Sequence, residues 1–130
     1  MQKQEIKTEH APAPIGPYSQ AIIANGFLFA SGQIAIIPQT GELETGGIQS
    51  ETHQVMKNID AVLKQANISF DHVVKTTIFL SDMSLFPQVN EIYGGYFNSN
   101  IPAPARETVA VKGLPRGVQI EISVTAVINL

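Results

Sequence analysis

Only two arginines, Arg106 and Arg116, occur among the 130 residues of this sequence. Arg106 follows Ile101-Pro102-Ala103-Pro104-Ala105, an uncharged segment whose prolines restrict the backbone at the mouth of a strand. A guanidinium presented there offers a planar fork that fits a carboxylate through two parallel hydrogen bonds. A structural ion pair with Glu107 or Glu121 is the competing reading. Strand alternation puts Glu107 on the opposite face from Arg106 and makes it the weaker partner. Arg116, in the turn Pro115-Arg116-Gly117, reads as a solvated loop charge. The histidines, His10, His53 and His72, fall on a tail, a helix and a loop without metal-ligand spacing, and read as surface residues. Gly-rich phosphate loops, a GxSxG elbow and HExxH are all absent. Pro14-Ile15-Gly16-Pro17 matches PxxP but abuts a strand and reads as a rigid strand entry, and the sequon Asn67-Ile68-Ser69 has no meaning in a cytoplasmic protein.

Composition narrows the chemistry further. Cysteine is absent, which removes disulfides, thiolate catalysis and cysteine-based metal sites. Eight Lys+Arg against eleven Asp+Glu give a net charge of -3 with no basic cluster, so nucleic acid is not an expected partner. Residues 1–10 carry Lys3, Glu5, Lys7 and Glu9 and lack the apolar run of a secretory signal. Residues 11–41 contain no charge at all, yet Pro12, Pro14, Pro17, Asn25 and Gly26 interrupt any membrane helix. A cytoplasmic protein with no membrane partner is expected. Charged residues make up 15% of the chain, where about 25% is typical. With 44% hydrophobic residues, such a surface points to self-association.

The elements that must position Arg106 follow from periodicity. The length suits one domain, 1–130. Strands are expected at 4–7, 19–24 and 27–31, with Asn25-Gly26 forming a type I′ hairpin turn. Residues 34–47 read as a loop. From 50 to 67, Val55, Met56, Ile59, Val62, Leu63 and Ala66 make one stripe of an amphipathic helix. Residues 73–80 are β-branched and aromatic, and 84–98 return to a helical pattern weakened by Gly94-Gly95. Strands at 108–111 and 118–128 close the order β-β-β-α-β-α-β-β, an α+β mixed sheet with both helices on one face.

The last strand sorts its side chains cleanly. Val118, Ile120, Ile122, Val124, Ala126 and Ile128 share one face, and Gln119, Glu121, Ser123 and Thr125 the other. Val74, Thr76, Ile78 and Leu80 likewise oppose Val73, Lys75, Thr77 and Phe79. The apolar face belongs under the helices. The other is polar but poor in charge, which suits an interface between copies better than open water.

Four ordered blocks then carry a family likeness: residues 13–21 (Ala-Pro-Ile-Gly-Pro-Tyr-Ser-Gln-Ala), Ser31-Gly32-Gln33, Pro104-Ala105-Arg106 and Ile120-Glu121-Ile122. In order and spacing the chain resembles the RidA/YjgF family from about residue 3 to the C-terminus. The resemblance implies a chorismate-mutase-like fold assembled as a homotrimer, with a pocket in each cleft between subunits. It implies hydrolysis of reactive enamines and imines, such as 2-aminoacrylate, 2-iminopropanoate and 2-iminobutanoate, to 2-oxo acids and ammonia. No cofactor or metal is implied. By the same resemblance Arg106 grips the substrate carboxylate, Glu121 holds and activates water, and Tyr18 closes the pocket. Ser31, Gly32 and Asn90 shape it, with Thr108 beside the substrate. Thr108 stands where many relatives have cysteine, which removes any thiol role. Glu107 replaces a usual small residue and would compete with substrate if it reached Arg106.

Two other readings stay open. One is a non-catalytic trimer that binds a small carboxylate or regulates a partner in a chaperone-like way. The other is a chorismate-mutase-like pericyclic enzyme, suggested by fold alone. Its dianionic substrate would want several cations, and only Arg106 is well placed.

Overall fold

A computed structural model describes residues 2–130. The elements run β1 (Gln4–Ile6), β2 (Ala21–Ala24), β3 (Phe27–Ala30), α1 (Ile48–Gln65), β4 (Val73–Leu80), α2 (Phe86–Gly94), β5 (Ala105–Ala110) and β6 (Ile120–Val127). This is the expected order. One six-stranded mixed sheet forms, in the spatial order β1-β2-β3-β6-β4-β5. Only β4 and β5 are parallel; every other neighbouring pair is antiparallel. The parallel pair needs a crossover, which α2 supplies, and α1 similarly carries the chain from β3 to β4 across β6.

Local chemistry explains most boundaries. Asn25 (φ 52°) and Gly26 (φ 80°) adopt the left-handed pair that a type I′ turn requires, joining β2 to β3. Helix α1 buries Val55, Met56, Ile59, Val62 and Leu63 in one core with Ile78 and Leu80 of β4 and Ile120, Ile122 and Val124 of β6. Val89 and Tyr93 of α2 join the same core, so both helices cover one face of the sheet.

Three expectations need correction. The second helix is shorter than 84–98: a 3-10 turn over Met83–Leu85 precedes α2, which ends at Gly94. The fifth strand begins at Ala105, so Arg106 lies inside it and not at its mouth. In β4 a register irregularity between Val73 and Lys75 reverses the first two side chains. Val73 is therefore buried and Val74 exposed, the opposite of simple alternation, while Thr76, Ile78 and Leu80 keep the core-facing pattern. The uncovered face is also less polar than expected. Phe27, Phe29 and Val109 stand exposed there, beside the Lys75–Glu107 ion pair at 2.7 Å.

Two buried polar side chains tie irregular segments to this frame. The Gln20 amide is buried, accepts from Thr8 N–H at 2.7 Å, and donates to the carbonyls of Thr8, Ala11 and Pro12 at 3.0, 3.2 and 2.9 Å. It thereby replaces strand pairing for a proline-containing stretch that cannot pair regularly. On α1, Glu51 accepts from Gln119 N–H at 2.9 Å and holds the entrance to β6 against the helix. No helix is long and apolar enough to cross a membrane among the described residues.

Gln20→Ala would strip these carbonyls of their donor. A loss of about 1–3 kcal/mol is expected for orphaning buried polar groups. Chemical denaturation together with hydrogen exchange at residues 8–12 checks it; unchanged stability and protection would show the clamp to be dispensable.

Candidate functional site

The chain brings the expected site residues into two separate places. Tyr18, Ser31, Gly32 and Glu121 line one cleft of about 510 Å³. Asn90 and Arg106 line another, shallower one of about 690 Å³. Strand register explains the division. Arg106 is in register with Thr76, whose side chain is buried under the helices. Glu121 is in register with Phe79, on the uncovered face. Within one chain the two groups therefore point to opposite sides of the sheet.

The Glu121 cleft is built around a missing side chain. A Cβ on Gly32 would lie 2.0 Å from Glu121 Oε2, so only glycine lets the carboxylate rest against the backbone here. Glu121 makes no ion pair among the described residues. Burial pushes its carboxyl above the ordinary value of 4.5. Gln33 pairs with Ile122 through both N–H···O bonds, at 2.8 and 3.1 Å, which fixes the Ser31–Gln33 segment over β6. Ser31 Oγ donates to Ser19 O at 2.6 Å, so its hydroxyl proton serves the wall of the cleft. Tyr18 is 53% exposed, and its hydroxyl accepts from Ile15 N–H at 3.4 Å, holding the 15–18 turn at the rim.

The Arg106 cleft is organised by α2. Arg106 Nη1 donates to Asn90 Oδ1 at 2.7 Å, and its guanidinium carbon lies 5.2 Å from the ring centroids of both Phe86 and Tyr93. The spacing 86, 90, 93 puts these three side chains on one face of the helix. The Tyr93 hydroxyl donates to Thr76 Oγ1 at 2.9 Å, and burial pushes its phenol pKa up, so the ring stays neutral. The guanidinium is thus oriented without a carboxylate partner, and its remaining donors stay available. Sequence reading found Asn90 but missed Phe86 and Tyr93; their three- and four-residue spacing from Asn90 was the available signal.

Neither expected ion pair of Arg106 forms. Glu107 points to the other face, where it binds Lys75 and accepts from Thr77 Oγ1. The Lys75 hydrogen bond, with that of Thr77, holds its carboxyl below the usual range. The anticipated competition with substrate is therefore absent. Thr108 lines neither cleft, and its Oγ1 is buried without a hydrogen-bond partner. The histidines stay apart: His53 Nδ1 lies 2.9 Å from the Tyr96 hydroxyl and His72 caps a 3-10 turn with Ser69. No group of three or more His, Asp or Glu able to hold a metal converges among the described residues.

Known proteins share this fold along nearly the whole chain. The family model described as Endoribonuclease L-PSP matches residues 8–128. Human 2-iminobutanoate/2-iminopropanoate deaminase is 46% identical over 125 residues, covering 96% of this chain and 90% of the human protein. The crystal structure of a conserved Rid-family protein, YyfA of Yersinia pestis, superposes with a TM-score of 0.94 at 52% identity, over 97% of this chain and 99% of the other. Escherichia coli TdcF, crystallised with bound serine, gives a TM-score of 0.90 at 35% identity, over 95% and 98% of the two chains. The family model spans nearly the full length, and the chain belongs to the Endoribonuclease L-PSP family, which is the RidA/YjgF family.

Proposed function

We propose that the protein hydrolyses short-chain 2-imino acids and their enamine tautomers to 2-oxo acids and ammonia, at sites completed between subunits of a homotrimer. The observation that carries this reading is the Glu121 carboxyl, free of any ion pair among the described residues, seated on bare Gly32 backbone, its pKa raised by burial. A carboxylate whose proton affinity is raised in this way is suited to accept a proton from water. The relatives supply the reaction class, since the human protein is named a 2-iminobutanoate/2-iminopropanoate deaminase. The amino acid in the TdcF crystal structure supplies a precedent for a ligand bearing a 2-carboxylate.

In the proposed reaction Arg106 of one subunit holds the substrate carboxylate against the Glu121 cleft of its neighbour. A water held by Glu121 attacks the imine carbon. The new C–O bond forms as the C=N π electrons move to nitrogen, and Glu121 takes the water proton. The carbinolamine then collapses: the proton taken by Glu121 passes to nitrogen, the hydroxyl gives up its proton to nitrogen as the C=O bond forms, the C–N bond breaks, and ammonia leaves the 2-oxo acid. Tyr18, at the rim, closes the cleft over the substrate, and Thr108 Oγ1 offers an unclaimed hydroxyl two residues beyond Arg106 on the same strand face. The exposed Phe27, Phe29 and Val109 support burial of the uncovered sheet face against other copies. Cleavage of RNA, which the family description evokes, finds no support in a chain of net charge -3 whose two arginines do not share a track for phosphates.

Three measurements test this. With a threonine dehydratase generating 2-iminobutanoate in the presence of a trapping amine, the protein is expected to accelerate 2-oxobutanoate release. Arg106→Ala should lower kcat/KM about 10–100-fold, the usual cost of losing hydrogen bonds to a charged group; an unchanged rate would remove Arg106 from the site. Glu121→Gln should lower kcat about 10²–10⁴-fold. The carboxylate is the active form and its pKa is raised, so wild-type activity should fall, as pH drops, through a limb lying above 4.5. A limb at or below that value would contradict the role of burial. Gly32→Ala should fold but displace the Glu121 carboxyl, whose far end is the flexible party in the clash, and cost activity as Glu121→Gln does.

A further inference from the structure

The turn Pro115-Arg116-Gly117, unassigned by the reaction above, carries the second guanidinium. Arg116 lines the Glu121 cleft and also a recess of about 210 Å³ that opens beside it. Among the described residues it is the only cation lining either space. The recess is otherwise apolar, formed by Pro12, Ile15, Ile36 and Pro38, with Gly41 at its edge. Arg116 adopts φ 56°, ψ 19°, a left-handed conformation that a side chain other than glycine holds at a cost of about 1–2 kcal/mol. Its Nη1 donates to Gly41 O at 3.3 Å, across the mouth of the recess. Among the described residues it has no carboxylate partner, so most of its five N–H donors are uncommitted.

We propose that Arg116 is a specificity-determining residue that binds a second, side-chain carboxylate, so that the site takes imines of 2-amino dicarboxylic acids as well as short monocarboxylic ones. This rests on the deaminase reading. There the 2-carboxylate is held by Arg106 from the neighbouring subunit, at the opposite end of the substrate. The apolar walls of the recess accept the methylenes between the imine carbon and the distal acid, and Arg116 supplies the planar fork for that acid. Arg116 is exposed, and it stands on the wall shared by both spaces with its fork free to meet a ligand there.

The test compares imines generated in place by a broad-specificity amino-acid oxidase from glutamate and from 2-aminobutyrate. Arg116→Gln should lower the ratio of kcat/KM for the dicarboxylic over the monocarboxylic imine about 10–100-fold, chiefly through KM. Arg116→Lys should retain part of the preference. Arg116→Gly, which suits the left-handed backbone, should match the glutamine variant and excludes a folding defect as the cause. Calorimetric titration is run in parallel with glutarate and butyrate. Wild-type protein should bind glutarate more tightly, and Arg116→Gln should erase the difference. An unchanged kcat/KM ratio, or equal binding of the two acids by wild type, overturns the inference. Glutarate held through Arg116 by a protein that hydrolyses neither imine would instead overturn the deaminase reading and leave this one standing.

Discussion

Strand alternation is the constraint on which the site depends. Arg106 is locked to Thr76 in the parallel β4–β5 pair, and Glu121 to Phe79 in the antiparallel β4–β6 pair. Thr76 and Phe79 are three residues apart on one strand and so lie on opposite faces. No rotamer of either long side chain can undo this, because moving one across the sheet would require a one-residue slip of a whole strand. Such a slip would turn Ile120, Ile122 and Val124 out of the core. The hydrophobic core therefore enforces the separation, and a site that uses both groups must borrow one from another copy of the chain.

Each half of the proposed site is built in its own way. In the basic half, Asn90 and the Phe86 and Tyr93 rings orient a guanidinium that no carboxylate neutralises among the described residues. The acidic half depends on absence, since the missing side chain of Gly32 makes room for a carboxyl whose pKa burial raises. Glu107 sits next to Arg106 in sequence, yet the sheet turns it away to Lys75, so it leaves the guanidinium free. The same alternation that divides the proposed catalytic pair thus protects one of its members.

Much of the fold was legible because its signals were local. The apolar stripe of α1, the Asn25-Gly26 turn and the two-residue period of β6 depend on neighbours in sequence, and all three stand as read. The reversed Val73 and Val74 were not legible, since an irregularity in pairing depends on the partner strand. Arg106, Glu121, Gly32 and Tyr18 were found in ordered motifs, and Asn90 only through the family those motifs resemble. Their division between two faces was implicit in the alternation but needed the register, which sequence alone does not set. Phe86 and Tyr93 were not singled out as supports of Arg106, because a ring that packs and a ring that supports a cation leave the same trace in a pattern. Arg116 was set aside as a loop charge, and only the folded 36–41 segment brings it to the cleft wall.

Mixing two inactive variants tests the shared site most directly. Arg106→Ala and Glu121→Gln chains, unfolded together and refolded as a mixture, should recover about a quarter of wild-type activity if subunits assemble at random and each site takes one group from each of two chains. Neither variant refolded alone should show it. A mixture no more active than its components, or a wild-type monomer with full activity, would contradict the proposal that the site is built between subunits.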